Sequence, residues 1–105
     1  MSEVSPTAAT HHLKAWPTYF DAVLSGAKPF DVRFNDRNYR TGDRVVLHEW
    51  NPGEVAGFGK IGPYYTGREL RGTITYVFTH EDARSLFGRK VVAEDYVVLG
   101  LRWDG

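Results

Sequence analysis

The stretch that decides the fold reads Gly26-Ala27-Lys28-Pro29-Phe30-Asp31-Val32-Arg33-Phe34-Asn35-Asp36-Arg37. Its first glycine is typical of a helix end, because glycine readily adopts the left-handed conformation that terminates many helices. Residues 30–35 alternate between apolar and polar types, with the period of two that predicts a β-strand. The apolar face carries Phe30, Val32 and Phe34, and the polar face carries Asp31, Arg33 and Asn35. The stretch therefore predicts the end of a helix followed by a strand with two different faces.

A two-turn helix is predicted immediately before this stretch, over residues 16–26. Pro17 suits the first helical position, where the missing N–H of proline costs no hydrogen bond. Apolar side chains then recur at helical spacing and predict a stripe that packs in the core. The members of this stripe are Trp16, Phe20, Val23 and Leu24.

Two segments lie before the helix. Residues 11–15 alternate, with His12 and Lys14 on one side, and predict a first strand. Residues 1–10 are small and polar, without the basic start and apolar middle of a signal peptide, and predict a disordered tail. A single domain is expected over residues 11–105, because the chain contains no internal repeat and no linker.

The rest of the chain predicts mainly β structure. In chain order we expect a turn over 40–43, a strand over 44–50, a long loop or an irregular hairpin over 51–67, the longest strand over 68–79, a helical turn over 80–88 and a last strand over 94–103. Alternation in the longest strand predicts a core face of Leu70, Ile74, Tyr76 and Phe78, and the helical turn is expected to be anchored by Leu86 and Phe87. Roughly five strands, one or two short helices and no regular βαβ alternation predict an α+β domain, mainly β, built as a small mixed barrel.

Composition narrows the classes of function. Lys plus Arg equals Asp plus Glu at 13 each, and this balance argues against non-specific binding to duplex nucleic acid while leaving room for a local contact with one or a few nucleotides. The absence of cysteine excludes disulfides, thiolate metal sites and cysteine nucleophiles. The four histidines lack metal-ligand spacing, so we expect no metal and no cofactor. No apolar run approaches a membrane span, and we expect a cytoplasmic protein.

The polar face of the predicted strand holds the residues best suited to chemistry. Lys28 on the turn, with Asp31, Arg33 and Asn35 on the strand, would bring two cations, a carboxylate and an amide together. Arginine offers a planar fork to a carboxylate, a phosphate or a base edge, and a carboxylate accepts from the exocyclic amine of cytosine. The alternative is a solvated strand face with incidental ion pairs, which are common and weak.

These residues also carry a resemblance. The pattern Gly-x-Lys-x-x-(Asp/Glu)-x-Arg after a short helix, here Gly26, Lys28, Asp31 and Arg33, resembles the signature of the ASCH superfamily, relatives of the PUA RNA-binding domains. Further segments are similar to one uncharacterised small branch: Asn35-Asp36-Arg37, Gly42-Asp43, Glu49-Trp50, Tyr65-Thr66-Gly67-Arg68 and Tyr96-Val97-Val98-Leu99. The resemblance covers about residues 11–102. It implies a small PUA/ASCH-like pseudo-β-barrel with a cleft beside the helix, into which the signature lysine and arginine project.

The resemblance implies two classes of function. The first is a module that binds single-stranded RNA or a modified nucleoside or nucleotide. The second is a small hydrolase, either a ribonuclease or an amidohydrolase of an N4-acylated cytidine, with Lys28 and Asp31 as its catalytic pair. That amidohydrolase group has a threonine nucleophile where this chain has Asp31, and its glutamate could correspond to Glu81, Asp82 or Glu94. A protein-interaction domain with a vestigial pocket, which uses residues 54–65 as a contact loop, is a third possibility.

The expected ligand-binding residues extend beyond the signature. The full set is Lys14, Lys28, Asp31, Arg33, Asn35, Arg37, Glu49, Trp50, Tyr65 and Arg68. Trp50 would either stack on a base at the rim of the cleft or pack in the core. Tyr65 and Arg68 would either complete the pocket as lid residues or form a hairpin corner. His12, on the same side as Lys14, would contact a ligand or serve a structural role.

Overall fold

The computed structural model describes residues 8–57, 59–89 and 91–104. Its elements in chain order are β1 (Thr10–Ala15), α1 (Pro17–Leu24), β2 (Phe30–Phe34), β3 (Arg44–Asn51), β4 (Glu54–Ala56), β5 (Gly59–Ile61), β6 (Tyr64–Thr79), α2 (His80–Phe87) and β7 (Tyr96–Trp103). The structure is therefore mainly β with two short helices, and the predicted α+β fold class is confirmed. Neither helix of the described chain has the length and apolar content needed to span a bilayer.

Five strands form one curled sheet in the order β1-β3-β6-β7-β2, and β4 and β5 form a separate small hairpin. β1 pairs with β3 in parallel, and the other pairs in the large sheet are antiparallel. The sheet curls into a half-barrel, which brings its two edge strands, β1 and β2, to face each other. We call the gap between these two edges the seam.

The core lies on the concave side of the sheet, beneath α1. It is formed by Leu13, Ala15, Phe20, Val23, Tyr39, Val45, Leu47, Ile74, Val97, Leu99 and Leu101. The predicted helix, its Pro17 start and its left-handed Gly26 are confirmed. Phe20 and Val23, at the centre of the predicted stripe, are buried as expected. The prediction is wrong for Trp16 and Leu24 at its ends, which are more than half exposed. Only the middle of this short helix lies over the core, and Trp16 stands before its first turn.

β6 departs from its predicted alternation because of a β-bulge. Ile74 lies opposite Leu101, whereas Tyr76 lies opposite Gly100, so Thr75 is an extra residue on this strand. A bulge moves every later side chain to the other face. Ile74 is fully buried, but Tyr76 is 60% exposed, and the prediction that both lie in the core is wrong for Tyr76.

For the glycine-rich segment 51–67 the sequence predicts either a long loop or an irregular hairpin. The structure shows the hairpin, with β4 antiparallel to β5. β6 then begins at Tyr64, four residues before its predicted start. The hairpin depends on glycine, since a Cβ on Gly62 would lie 2.7 Å from the Cα of Gly53. Phe58 lies outside the described residues.

The predicted helical turn over 80–88 is confirmed as α2, but the residue that packs it against the rest of the protein is not one of those we expected. Thr79 caps its start in a reciprocal capping box with Asp82, and its last residue is followed by a left-handed glycine. Leu86 and Phe87, the expected anchors, are both exposed. The buried contact is made one turn earlier, at Ala83.

A buried hydrogen bond between His11 and Asp43 holds the start of β1. The carboxylate of Asp43 accepts hydrogen bonds from His11 Nε2 at 2.7 Å and from the main-chain N–H groups of Ala9 and Arg40 at 3.1 Å each. Since Ala9 is bonded and Thr10 begins β1, the predicted tail is wrong at these two positions, and residues 1–7 lie outside the described residues. The predicted turn over 40–43 is confirmed by the Asp43 N–H, which donates to the Arg40 carbonyl.

Burial alone would raise the pKa of Asp43, but the hydrogen bonds from His11, Ala9 and Arg40 outweigh burial and hold that pKa below its ordinary value of 3.8. A carboxyl whose pKa is lowered on folding stabilises the protein above the unfolded value, and this stabilisation is lost as the pH falls through the folded value. We therefore expect Asp43→Asn to lower the free energy of unfolding by about 1–3 kcal/mol at pH 7, measured in urea.

The matched control is Asp36→Asn, at an exposed carboxylate of the turn after β2, for which we expect a change within about 0.5 kcal/mol. The deficit of Asp43→Asn should shrink as the pH is lowered from 5 to below the folded pKa. Equal stability of the two variants at pH 7 would contradict the structural role of this pair.

Candidate functional site

β2 turns its charged face inward and its apolar face outward. Asp31 is 5% exposed, whereas Phe30, Val32 and Phe34 are each about half exposed. The interpretation of Asp31 and Arg33 as a solvated face is therefore wrong. An inward carboxylate requires partners, because an unpaired buried charge is very costly.

Two cations are the partners of Asp31. Arg33 donates from Nη2 to Asp31 Oδ2 at 2.9 Å, and Lys28 Nζ lies 3.6 Å from Asp31 Oδ1. The ammonium group of Lys28 also lies 5.5 Å from the centre of the Tyr19 ring and 5.8 Å from that of Phe30. The predicted convergence of Lys28, Asp31 and Arg33 is thus present, with one net positive charge.

Arginine side chains bridge the seam. β1 uses one edge to pair with β3, and on its other edge the carbonyl of Lys14 accepts from Arg33 Nη2 at 2.9 Å. The carbonyl of His12 accepts from Arg37 Nη1 at 2.6 Å. These guanidinium groups take the place of the N–H groups that a neighbouring strand would supply. Since side chains rather than a strand close this gap, a cleft remains along it.

The part of the cleft beside α1, which we call the first compartment, has a volume of about 280 Å³. Its lining includes Trp16, Tyr19, Val23, Lys28, Asp31 and Arg33. The rings of Trp16 and Tyr19 are more than half exposed. The Nε–H of Arg33 is buried and has no hydrogen-bond partner among the described residues. An aromatic wall above a charged floor can stack on a planar ligand and bond its polar edge.

The part of the cleft on the other side of Arg33, which we call the second compartment, has a volume of about 300 Å³. Its lining is His12, Leu13, Lys14, Arg33, Arg37, His48 and Tyr65. His12 Nδ1 and His48 Nε2 are hydrogen-bonded at 3.0 Å, and His48 Nδ1 lies 3.5 Å from Glu69 Oε2. The two compartments share Lys14 and Arg33 and therefore adjoin each other.

Two further predicted residues form a structural clamp outside both compartments. Glu49 is 4% exposed and accepts from Thr66 Oγ1 at 2.6 Å and from Arg68 Nη1 at 3.4 Å. Arg68 also donates to Asp21 on α1 at 3.2 Å and lies over the ring of Phe20. Glu49 and Arg68 therefore tie α1 to the sheet, and neither lines the first or the second compartment.

Trp50 and Asn35 are also placed differently from the prediction. Trp50 is half-buried, and Lys14 Nζ lies 4.2 Å from the centre of its ring, so this tryptophan supports a cation of the cleft. Asn35 is exposed, lies beyond the end of β2 and donates its main-chain N–H to the carbonyl of Asp95. Of the ten predicted binding residues, those that line the cleft are Lys14, Lys28, Asp31, Arg33, Arg37 and Tyr65.

Sequence reasoning missed three aromatic side chains of the cleft, those of Trp16, Tyr19 and His48. Trp16 and Tyr19 are three positions apart at the start of α1, a spacing that places them on one face, and this signal was available. His48 gave no such signal, because it reaches the cleft through the parallel pairing of β3 with β1. Among the described residues, no group of three or more histidine, aspartate or glutamate side chains is arranged to hold a metal ion.

The contact between Asp31 and Arg33 can be measured through stability. We expect Arg33→Met to lower the free energy of unfolding by about 3 kcal/mol, because it leaves a buried carboxylate with Lys28 as its one cation. In a double-mutant cycle with Asp31→Asn, the coupling energy should be about 1–3 kcal/mol, measured by urea unfolding.

Arg37→Met is the matched control for this cycle, since Arg37 bridges the same seam without contacting Asp31. Its effect should add to that of Asp31→Asn. Additive effects of Arg33→Met and Asp31→Asn would refute the claim that this pair holds the floor of the cleft.

Comparison with known proteins places the chain in a family. The model of a "Domain of unknown function (DUF3850)" matches residues 10–101. A protein of Escherichia phage P2, described as "Uncharacterized 12.9 kDa protein in GpA 3'region", is 37% identical over 92 residues, which span 88% of this chain and 67% of the phage protein. The matched region contains the seam, Lys28, Asp31 and Arg33. The chain belongs to the DUF3850 family.

Proposed function

We propose that this protein is a binding module for single-stranded RNA or for a modified nucleoside or nucleotide, whose base enters the first compartment. The observation that carries the proposal is the buried Asp31 carboxylate, ion-paired with Lys28 and Arg33 beneath the exposed rings of Trp16 and Tyr19. Stability alone does not require such an arrangement, since apolar residues fill a core at lower cost. Groups of this kind are typical of sites that recognise a polar ligand.

Each part of the first compartment suits one part of a nucleobase. The rings of Trp16 and Tyr19 offer stacking surfaces, which tolerate different bases. The guanidinium group of Arg33, which lines this compartment, offers N–H donors to a base carbonyl or ring nitrogen. Asp31 offers an acceptor to an exocyclic amine, as carboxylates do for cytosine. A base could thus be held by its faces and by one edge.

The charge balance supports a small or single-stranded ligand. The formal net charge is zero, so the protein lacks the general attraction that drives binding to a duplex. Its cations are instead concentrated locally at the cleft, where Lys14, Lys28 and Arg33 face the single carboxylate of Asp31 in the first compartment. Affinity for a short ligand should accordingly show a shallow dependence on salt.

The resemblance to the ASCH and PUA families supports the same proposal. It implies a cleft beside the helix, with the signature lysine and arginine pointing into it, and we propose that the chain is a member of that superfamily. We also propose that it acts in the cytoplasm, where RNA and free nucleotides are plentiful.

The ion pairs of the Asp31 carboxylate favour a binding function over hydrolysis. Both of its oxygens face cations, Oδ2 at 2.9 Å from Arg33 and Oδ1 at 3.6 Å from Lys28. A carboxylate held in this way is a weak nucleophile, and an ion-paired lysine is a poor base. An amidohydrolase or ribonuclease activity of Lys28 and Asp31 is the outcome that would overturn this preference.

The test is a titration of isotope-labelled protein followed by NMR, with nucleosides that include N4-acetylcytidine and with short single-stranded oligoribonucleotides. We expect shifts at Trp16, Tyr19, Lys28 and Asp31, while the ligand signals remain those of the starting compound. Trp16→Ala should weaken binding by roughly tenfold or more, as expected for the loss of one stacking contact. Lys28→Met should weaken it similarly, because it removes a cation from the floor.

Lys60→Met, at an exposed lysine of β5 that lines neither compartment, is the control and should bind normally. Conversion of a ligand into a new species, lost in Lys28→Met, would identify an enzyme instead. Shifts confined to residues outside the cleft, or no shifts with any of these compounds, would contradict the proposed site.

A further inference from the structure

We infer that the second compartment is a phosphate subsite, so that the ligand is a nucleotide or RNA rather than a free nucleoside. This inference rests on the proposed function, since it places the phosphate of the same ligand whose base lies in the first compartment. The chemistry recognised is a phosphate ester next to the ribose. A mononucleotide and an RNA strand both carry it, and the experiment below distinguishes them.

The charges that line the second compartment are all positive. Lys14, Arg33 and Arg37 contribute three cations, and no carboxylate is among the described residues that line it. Three acidic groups contact this lining without belonging to it: Asp31 lies 2.9 Å from Arg33, Glu69 lies 3.5 Å from His48, and the exposed Asp36 lies 3.9 Å from Arg37. By contrast, the first compartment contains the Asp31 carboxylate. An anionic group is therefore favoured more strongly in the second compartment than in the first, where Asp31 offsets part of the positive charge.

These cations are held in place before any ligand arrives. Arg33 and Arg37 are fixed by hydrogen bonds to the carbonyls of Lys14 and His12 on β1. Lys14 is held over the ring of Trp50 at 4.2 Å. Each guanidinium group carries five N–H donors, so donors remain after these contacts to bind phosphate oxygens. Because the side chains are already ordered, a phosphate would bind with little additional loss of conformational entropy.

The histidine pair adds directional hydrogen bonds. The 3.0 Å contact between His12 Nδ1 and His48 Nε2 uses one nitrogen of each ring, and Nδ1 of His48 faces Glu69. His12 lines the compartment, and this contact leaves its Nε2 free of His48, so that Nε2 can donate to a phosphate oxygen when it carries a proton. The exposed Tyr65 also lines this compartment, and its ring lies edge-on to that of His48.

The adjacency of the two compartments suits a single nucleotide. Lys14 and Arg33 line both, so the proposed base site and the proposed phosphate site lie side by side at these two residues. In a nucleotide only the ribose separates the base from its phosphate. With a base against Trp16 and Tyr19, the phosphate would reach Arg33 and Arg37 across the seam.

The experiment compares matched ligands by isothermal titration calorimetry. Each common ribonucleoside and N4-acetylcytidine is titrated beside its 5′- and 3′-monophosphate and beside a tetranucleotide that contains it. We expect a monophosphate to bind roughly tenfold or more tightly than its nucleoside, as one hydrogen bond to a charged group would give. Arg37→Gln and His12→Asn should remove most of this advantage, so that the ratio of monophosphate to nucleoside affinity falls towards one.

Arg102→Gln, at an exposed arginine of β7 that lines neither compartment, is the matched control and should retain the advantage. Inorganic phosphate provides an independent probe and should shift the ring signals of His12 and His48 in NMR spectra. A tetranucleotide that binds more tightly than either monophosphate would identify RNA as the ligand, and a monophosphate that binds as tightly would identify the free nucleotide.

Equal affinity for nucleosides and their monophosphates, with no response to inorganic phosphate, would overturn the phosphate subsite and leave the proposed base site intact. Absence of binding by nucleosides, nucleotides and the tetranucleotides would overturn the proposed function and this inference together.

Discussion

The guanidinium group of Arg33 joins the parts on which the candidate site depends. It donates to the Lys14 carbonyl on one edge of the sheet and to the Asp31 carboxylate on the other edge. A half-barrel must leave two strand edges with unpaired main-chain groups, and the curl of this sheet brings those edges together. Had β1 and β2 paired through their backbones, the barrel would be closed and the cleft absent. Instead, arginine side chains connect the two edges at a distance that leaves the cleft open between them.

The same constraint explains the inverted faces of β2. A strand at the edge of a half-buried sheet ordinarily turns its apolar residues inward. Here the inward positions adjoin the seam, where Arg33 must reach the carbonyl of β1 and Asp31 must neutralise Arg33. The apolar residues of β2 are then left on the outer face, where Phe34 stacks on Tyr96 with their ring centres 4.6 Å apart. The exposed aromatic residues on this face are thus a consequence of the charged seam.

Much of this architecture could be predicted from local patterns. The alternation in 30–35, the proline and glycine at the two ends of α1, and the pattern that joins Lys28, Asp31 and Arg33 all act over a few residues, and they located the floor of the first compartment. The errors have non-local causes. The bulge at Thr75 turns Tyr76 outward, and the order of apolar residues in the sequence does not indicate this bulge. The second compartment depends on His12 meeting a residue 36 positions away, through a parallel pairing that alternation does not specify.

A crystal structure of the protein with a bound single-stranded tetraribonucleotide would show whether the cleft along the seam is the ligand-binding site. We expect one base against Trp16 and Tyr19 with its polar edge at Asp31 and Arg33, and the adjoining phosphate beside Arg37. A strand bound on the outer face of β2, along Phe30, Val32 and Phe34, with the seam unoccupied, would contradict it.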